Sequence, residues 1–296
     1  MGAPFFNRMT LPVIMAVLFL LGVGPALPWR RTDMAELKRR LRAPLFALLG
    51  VAVLSPALGE RNGYAIAAYA FAAFALTTNL QEYWVGMRAR MRAHAENMWQ
   101  AFSGLVTGNR HRYGGYLAHI GIIIATFGVT ASSASMIEGE ATLAPGGSVA
   151  VAGFDFRLDQ VWGRDQPHRF TVGADVTVTR DGKPVGVMNP LQHFYKSSDT
   201  PVPTPAVKSS EQRDIYITLM AFDAQGKSAT IRVFIEPLVM WIWAGGGIMC
   251  LGAAWGLWPV RRRRIAGAAR TVGGADSAAD ATVGTPAPDR VPELVS

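Results

Sequence analysis

Cysteine is nearly absent: Cys250 is the single thiol among 296 residues. One thiol excludes an intramolecular disulfide and any cysteine-built metal centre. Acidic residues are also sparse, 21 Asp and Glu against 29 Lys and Arg, and none falls within the five long apolar runs of the chain. Those runs are Leu11 to Leu27, Ala43 to Leu58, Gly63 to Leu80, Gly114 to Ala134 and Leu238 to Trp258. A helix of roughly 20 apolar residues crosses a bilayer, so the lipid bilayer is the first partner the sequence implies. Spans without carboxylates, and without an inverted repeat, argue against a transporter.

What charge there is lies between the runs. Arg30, Arg31, Lys38, Arg39, Arg40 and Arg42 separate the first and second, and Arg88, Arg90, Arg92, Arg110 and Arg112 separate the third and fourth. Arg261 to Arg264 follow the fifth, whereas the segment between the second and third carries Arg61 alone. This alternation is the positive-inside pattern. It accounts for the net charge of +8 without nucleic acid, which is not expected as a partner. It also orients the chain, with the amino terminus outside, the basic segments cytoplasmic and Ser135 to Glu236 extracytoplasmic. The opening "MGAPFFNRMTLP" lacks the basic n-region of a signal peptide, so the first span reads as a helix from the middle of a larger topology.

The expected fold class is a membrane α-helical protein of about five transmembrane helices, with an extracytoplasmic all-β domain inserted before the last. Residues 1–134 form the four-helix region, 135–236 the β domain, 237–260 the last span and 261–296 a low-complexity, disordered cytoplasmic tail. "WRRTDMAELKRRLR" has a helical look, with acids before bases, and "QEYWVGMRARMRAHAENMWQAFSGL" reads as an amphipathic interfacial helix. From Ser135 onward, apolar and polar residues alternate in β-rich runs, with hairpin turns at Asp181-Gly182 and Gln225-Gly226. A small sandwich or open barrel fits. "NPLQHFYKSSDTPVPTPAVKSSEQ" is expected to be a long surface loop.

The fourth run carries one histidine, His119. On a helical wheel Gly114, Ala118, Gly121, Ala125, Gly128 and Ser132 form a stripe of small residues, which admits a second helix or a flat ligand. Gly115, His119, Thr126, Thr130 and Ser133 run beside it, and Tyr113, Tyr116, Ile120, Ile124 and Phe127 occupy the opposite, lipid-facing side. His119 therefore faces protein or a cavity. Three readings stand: a hydrogen bond to a neighbouring helix, proton transfer, for which no carboxylate is at hand, or axial ligation of a metal cofactor. Haem is the natural flat cofactor, with Gly115 and Gly121 leaving room for its ring. His94, His111, His168 and His193 all lie outside the spans, so a second axial ligand has to come from elsewhere. His168, His193 and Cys250 read as structural or surface residues. The tryptophans at the two ends of the fifth run, Trp241 and Trp243, Trp255 and Trp258, read as interfacial belts.

"RYGGYLAHIGIIIATFGVTASS", the β domain and "PLVMWIWAGGGIMCLG", preceded by "GAPFFNRMTLPVIMAVLFLLGVGPALPWR", resemble the carboxy-terminal half of the CcmF family, from about residue 2 to 260. These are haem lyase subunits of the bacterial cytochrome c maturation system. The resemblance implies a multi-pass protein of the bacterial inner membrane with a periplasmic β domain, and attachment of haem to the thiols of apocytochrome c. It further implies a b-type haem between transmembrane helices, with His119 as one axial ligand and metal site. The partners implied are the amino-terminal half of the lyase, a haem carrier complex, apocytochrome c and its thiol-reducing or chaperone subunits. The chain departs from the family in lacking the tryptophan-rich WWD segment and the earlier ligand histidines, and in carrying Thr204-Pro205-Ala206 where the family has a TEA sequence. It thus reads as a split subunit or a fragment, inactive alone.

Arg112, two helical turns before His119, is placed to pair with a haem propionate or to sit at the interface as an ordinary arginine. The expected function is the carboxy-terminal part of a cytochrome c haem lyase. The alternative is a non-enzymatic membrane scaffold that presents its β domain for complex assembly, with His119 bridging helices.

Overall fold

Glycine decides how the helices meet. In the computed structural model, which describes residues 3–27, 34–197 and 200–259, helix α5 (Arg110–Ala134) packs most extensively on α6 (Met240–Leu257). A Cβ on Gly114 would stand 2.7 Å from the carbonyl oxygen of Gly252, and one on Gly121 2.6 Å from that of Gly245. Gly128 faces the backbone of Ile242 in the same way. The small-residue stripe of α5 is therefore filled by a helix, whose own Gly245 and Gly252 match it. Close backbone approach maximises van der Waals contact, the main attraction available between helices in lipid.

α3 (Gly63–His94) packs on α5, and α1 (Ala3–Ala26) and α2 (Met34–Ala57) pack on α3, with a short α4 (Met98–Gly108) between α3 and α5 in the chain. Five of the six are long and apolar enough to cross a membrane. Asn62 starts α3 by accepting from the backbone nitrogens of Tyr64 and Ala65, and Asn97 starts α4 with a reciprocal capping box to Gln100. Two expectations change here. The basic segment before the second run, from Met34 on, and that run itself form one helix, α2, which passes through Pro44. The third run does not stop at Leu80: α3 continues to His94, and Ala95, in the left-handed conformation at φ 53°, breaks it. The expected interfacial helix is thus the end of α3 plus α4. The tail from residue 260 lies outside the described residues.

The β domain is a sandwich. One sheet runs β1-β10-β9-β8 (Ile137–Leu143, Ala229–Pro237, Arg213–Phe222, Ala206–Lys208). The other runs β2-β3-β4-β6-β7 (Ser148–Val151, Phe154–Asp165, Arg169–Arg180, Leu191–Tyr195, Val202–Thr204), with β5 (Lys183–Met188) also on β4. Alternation fills the space between the sheets: Phe156, Leu158, Val176 and Val178 from one face meet Ile217, Leu219 and Ile231 from the other, all fully buried. Asp181 and Gly182 turn at positive φ between β4 and β5, as the hairpin signal predicts. The proline-rich stretch is not simply a loop. It supplies β6, β7 and β8, with Pro203 on the edge strand β7, where a missing amide donor costs least.

Asp175 on β4 ties its sheet together, accepting from Gln160 Nε2 at 2.6 Å, Trp162 Nε1 at 2.9 Å and Asn189 Nδ2 at 2.6 Å. Burial acts to raise its pKa, but the three donors outweigh it and hold the carboxyl below the usual aspartate range. A lowered folded pKa gives stability that is complete above the ordinary aspartate value and lost as pH falls through the folded one.

Two measurements check these contacts. Gly245→Ala should destabilise the α5–α6 pair by on the order of 1–3 kcal/mol in thermal unfolding, whereas Gly246→Ala, whose Cβ meets nothing within 4 Å, should be neutral or slightly stabilising. Asp175→Asn should flatten the loss of sandwich stability between neutral pH and about pH 3, read from unfolding curves across that range.

Candidate functional site

At the end of the bundle away from the sandwich, the carboxy-terminal turn of α1, the start of α2 and the first half of α5 enclose a cavity of about 680 Å³. Gly24 and Pro25, Arg40, and Arg112, Gly115, Tyr116 and His119 line it. Of the residues the sequence singles out, His119, Gly115 and Arg112 come together here. Gly115 leaves open space where its side chain would be. Gly121 does not join them, because it is buried against Gly245 and Met249 of α6. Its effect on the cavity runs through the position of α5.

His119 is half-buried, its ring centre 6.5 Å from that of Tyr116. Its Nδ1 is enclosed and has no hydrogen-bond partner, so that nitrogen does not bridge to a neighbouring helix among the described residues. His111 lines the same cavity, which sequence reasoning did not foresee. The two imidazoles stand eight residues apart on one helix, about 12 Å along its axis, too far for both to bind one metal axially.

A buried acid governs the cationic side. Glu82 of α3 is 6% exposed, and its two oxygens receive Arg40 Nη1 at 3.2 Å and Arg112 Nη2 at 2.6 Å. Arg112 also donates to the Tyr116 hydroxyl at 3.1 Å. One carboxylate thus holds guanidinium groups of α2 and α5 at the cavity. Sequence reasoning missed this because Glu82 falls just past the apolar run, and Arg40 looks like any interfacial arginine. The expected lipid face of α5 is corrected too: Tyr113 is 5% exposed, and its carbonyl accepts from Tyr83 Oη at 2.6 Å.

Among the described residues no group of three or more His, Cys, Asp or Glu is placed to hold a bare metal ion. A planar tetrapyrrole brings most of its own coordination and asks the protein for one or two axial donors. An imidazole in an apolar cavity with two guanidinium groups nearby matches such a ligand, whose carboxylates need cationic partners. A second cavity of about 830 Å³ lies at the sandwich end, walled by Leu76, Ile123, Phe127 and Trp241. It is larger, but no histidine lines it.

Residues 134–237 match the family model described as the CcmF C-terminal beta-sandwich. The chain belongs to the CcmF family. It is 30% identical over 269 residues to the cytochrome c-type biogenesis protein CycK of Bradyrhizobium diazoefficiens, covering 89% of this chain and 39% of that protein. It is 28% identical over 246 residues to CcmF of Pseudomonas fluorescens, covering 83% and 36%. A solved structure of "Cytochrome c Heme Lyase CcmF" superposes with a TM-score of 0.65 at 26% identity, over 87% of this chain and 41% of that one. The chain thus spans about two fifths of the length of these CcmF relatives, and it corresponds to their carboxy-terminal portion with its β-sandwich.

Glu82→Gln should remove both ion pairs and lower stability by roughly 1–3 kcal/mol, less than for a fully buried pair because Arg112 is half exposed. Thermal unfolding of the purified chain checks it, and Arg39→Gln, on an exposed pair with Glu36, should leave stability nearly unchanged.

Proposed function

We propose that this chain is the carboxy-terminal part of a bacterial cytochrome c haem lyase, and that His119 is one axial ligand of a b-type haem held between its helices. The observation that carries the proposal is the placement of His119 in the cavity of about 680 Å³, with Nδ1 sealed off and Arg40 and Arg112 beside it. Sealing Nδ1 leaves Nε2 as the ring nitrogen for a ligand. Gly115 would make room for a flat group, and the guanidinium groups of Arg40 and Arg112, which Glu82 holds at the cavity, would pair with its carboxylates. Bound there, haem would supply a redox-active iron. The chain's own part is to bind it, orient it and exclude water with α1, α2 and α5.

The second axial ligand comes from residues outside this chain, and activity requires the amino-terminal half of the lyase. By the positive-inside argument the sandwich faces the periplasm. There it serves the attachment of haem to apocytochrome c, with the haem carrier complex and the thiol-reducing or chaperone subunits as further partners.

Co-expression with the amino-terminal half, followed by purification and reduced-minus-oxidised spectroscopy, tests the ligand. A b-type spectrum is expected, abolished or shifted by His119→Ala. An unchanged spectrum in the variant removes His119 from the coordination sphere, and a colourless wild-type complex favours the scaffold reading instead.

A further inference from the structure

The sandwich has a cationic pocket at the end nearest the helices. Arg213 opens β9 opposite Pro237, three residues before α6, and the Gln212 carbonyl accepts from Leu238 N at 3.0 Å. The β2–β3 turn at Ala152 and Gly153 and the β4–β5 turn at Asp181 and Gly182 come to the same end. Between them lies a hollow of about 200 Å³ lined by Arg180, Lys208, Arg213 and the Phe154 ring, with Ser210 and Gln212 at its rim.

The arginines are mounted for an anion. Their guanidinium carbons lie 5.2 Å (Arg180) and 5.7 Å (Arg213) from the centre of the Phe154 ring, so one aromatic ring holds both in place. Arg213 Nε is buried and has no hydrogen-bond partner, so no neighbouring acceptor offsets the guanidinium charge through that atom. Among the described residues the one carboxylate in ion-pair reach of the three cations is Asp181, 3.8 Å from Arg180 and itself 85% exposed. Asp214, next to Arg213 in sequence, is engaged by Ser209 Oγ at 3.0 Å and Ser210 N at 3.3 Å. The pocket therefore keeps a positive charge that its own surroundings leave uncompensated.

Its level along the molecule selects the anion. Trp241 and Trp243 stand exposed in the first turn of α6, where aromatic side chains mark the headgroup layer. We propose that Arg180, Lys208 and Arg213 form a binding site for the phosphate headgroup of an anionic phospholipid, which anchors the sandwich to the membrane surface. The site is independent of the haem cavity at the opposite end of the bundle.

Photo-crosslinking tests it, with the full chain in nanodiscs that contain phosphatidylglycerol carrying a photoreactive headgroup. Labelled peptides are expected from 180–186 and 206–213. The Arg180→Gln/Arg213→Gln variant should lower that labelling by roughly tenfold or more, while labelling of the basic turn at Arg39 to Arg42 stays constant. If the double variant loses the β signal in circular dichroism, Lys208→Gln takes its place, with a drop of about fivefold expected. Absence of label at these peptides, labelling unchanged in the folded variant, or displacement by inorganic phosphate as effective as by unlabelled phosphatidylglycerol overturns the proposal.

Discussion

Where Gly114, Gly121 and Gly128 meet Gly245, Gly252 and Ile242, the backbones of α5 and α6 approach more closely than any larger side chain permits. In lipid such a contact has no hydrophobic driving force behind it, because acyl chains are as apolar as leucine. Its strength comes from dense packing alone. Both ends of the β-sandwich chain are fixed by this contact, since β1 follows α5 and β10 leads into α6. Ser132 Oγ donates to Glu236 at 3.4 Å across that junction, and Leu238 makes the turn into α6 at φ 60°. The helix pair is thus both a membrane element and the clamp that sets where the sandwich begins and ends.

Because one face of α5 is committed to α6, its other faces become available for chemistry. His119 and Gly115 lie beside the glycine stripe and look toward α1 and α2. The tyrosines Tyr113 and Tyr116 look toward α3, where the Tyr83 ring meets the first tilted and the second edge-on. Burying Glu82 at this junction would be costly for a lone carboxylate. Two arginines from different helices offset that cost and are in turn held at the cavity edge. A single acid thereby joins α2, α3 and α5 and concentrates positive charge where a carboxylate-bearing ligand would need it.

The strong periodic signals in the sequence survive into the structure because they reflect one dominant force each. Long apolar runs become helices, alternating runs become strands and Asp181-Gly182 becomes a tight turn. The small-residue stripe on α5 was also legible, although the sequence left open whether a helix or a ligand fills it, and α6 does. What was not legible depended on partners distant in sequence. Glu82 sits two residues beyond an apolar run, and only Arg40 and Arg112, 42 and 30 residues away, make its burial tolerable. The stretch from Asn189 to Gln212 has turn chemistry throughout, yet strand pairing overrides it for three short segments, β6 on β4, β7 on β6 and β8 on β9. The face of α5 that carries its tyrosines reads as lipid-exposed because it lies opposite the small-residue stripe. Its burial depends on α3 continuing past Leu80, which the hydropathy of that segment conceals.

An incomplete donor set is itself informative about what kind of group the cavity suits. A structural zinc or a catalytic metal ion needs three or four protein ligands from one neighbourhood, and the described residues offer no such cluster. A porphyrin reverses the requirement, since its ring satisfies most of the iron and one imidazole defines one axial position. The demand on the protein shifts to shape, to cations for the propionates and to a second axial donor. Residues of α1, α2 and α5 offer a cavity and two guanidinium groups that would suit the first two. On the proposed reading the third would come from outside this chain, which spans about two fifths of the length of its CcmF relatives. His119 would, on the same reading, supply one of the two axial positions. The helix that carries His119, α5, also leads into the β-sandwich, so on that reading assembly of the two parts would also complete the iron site.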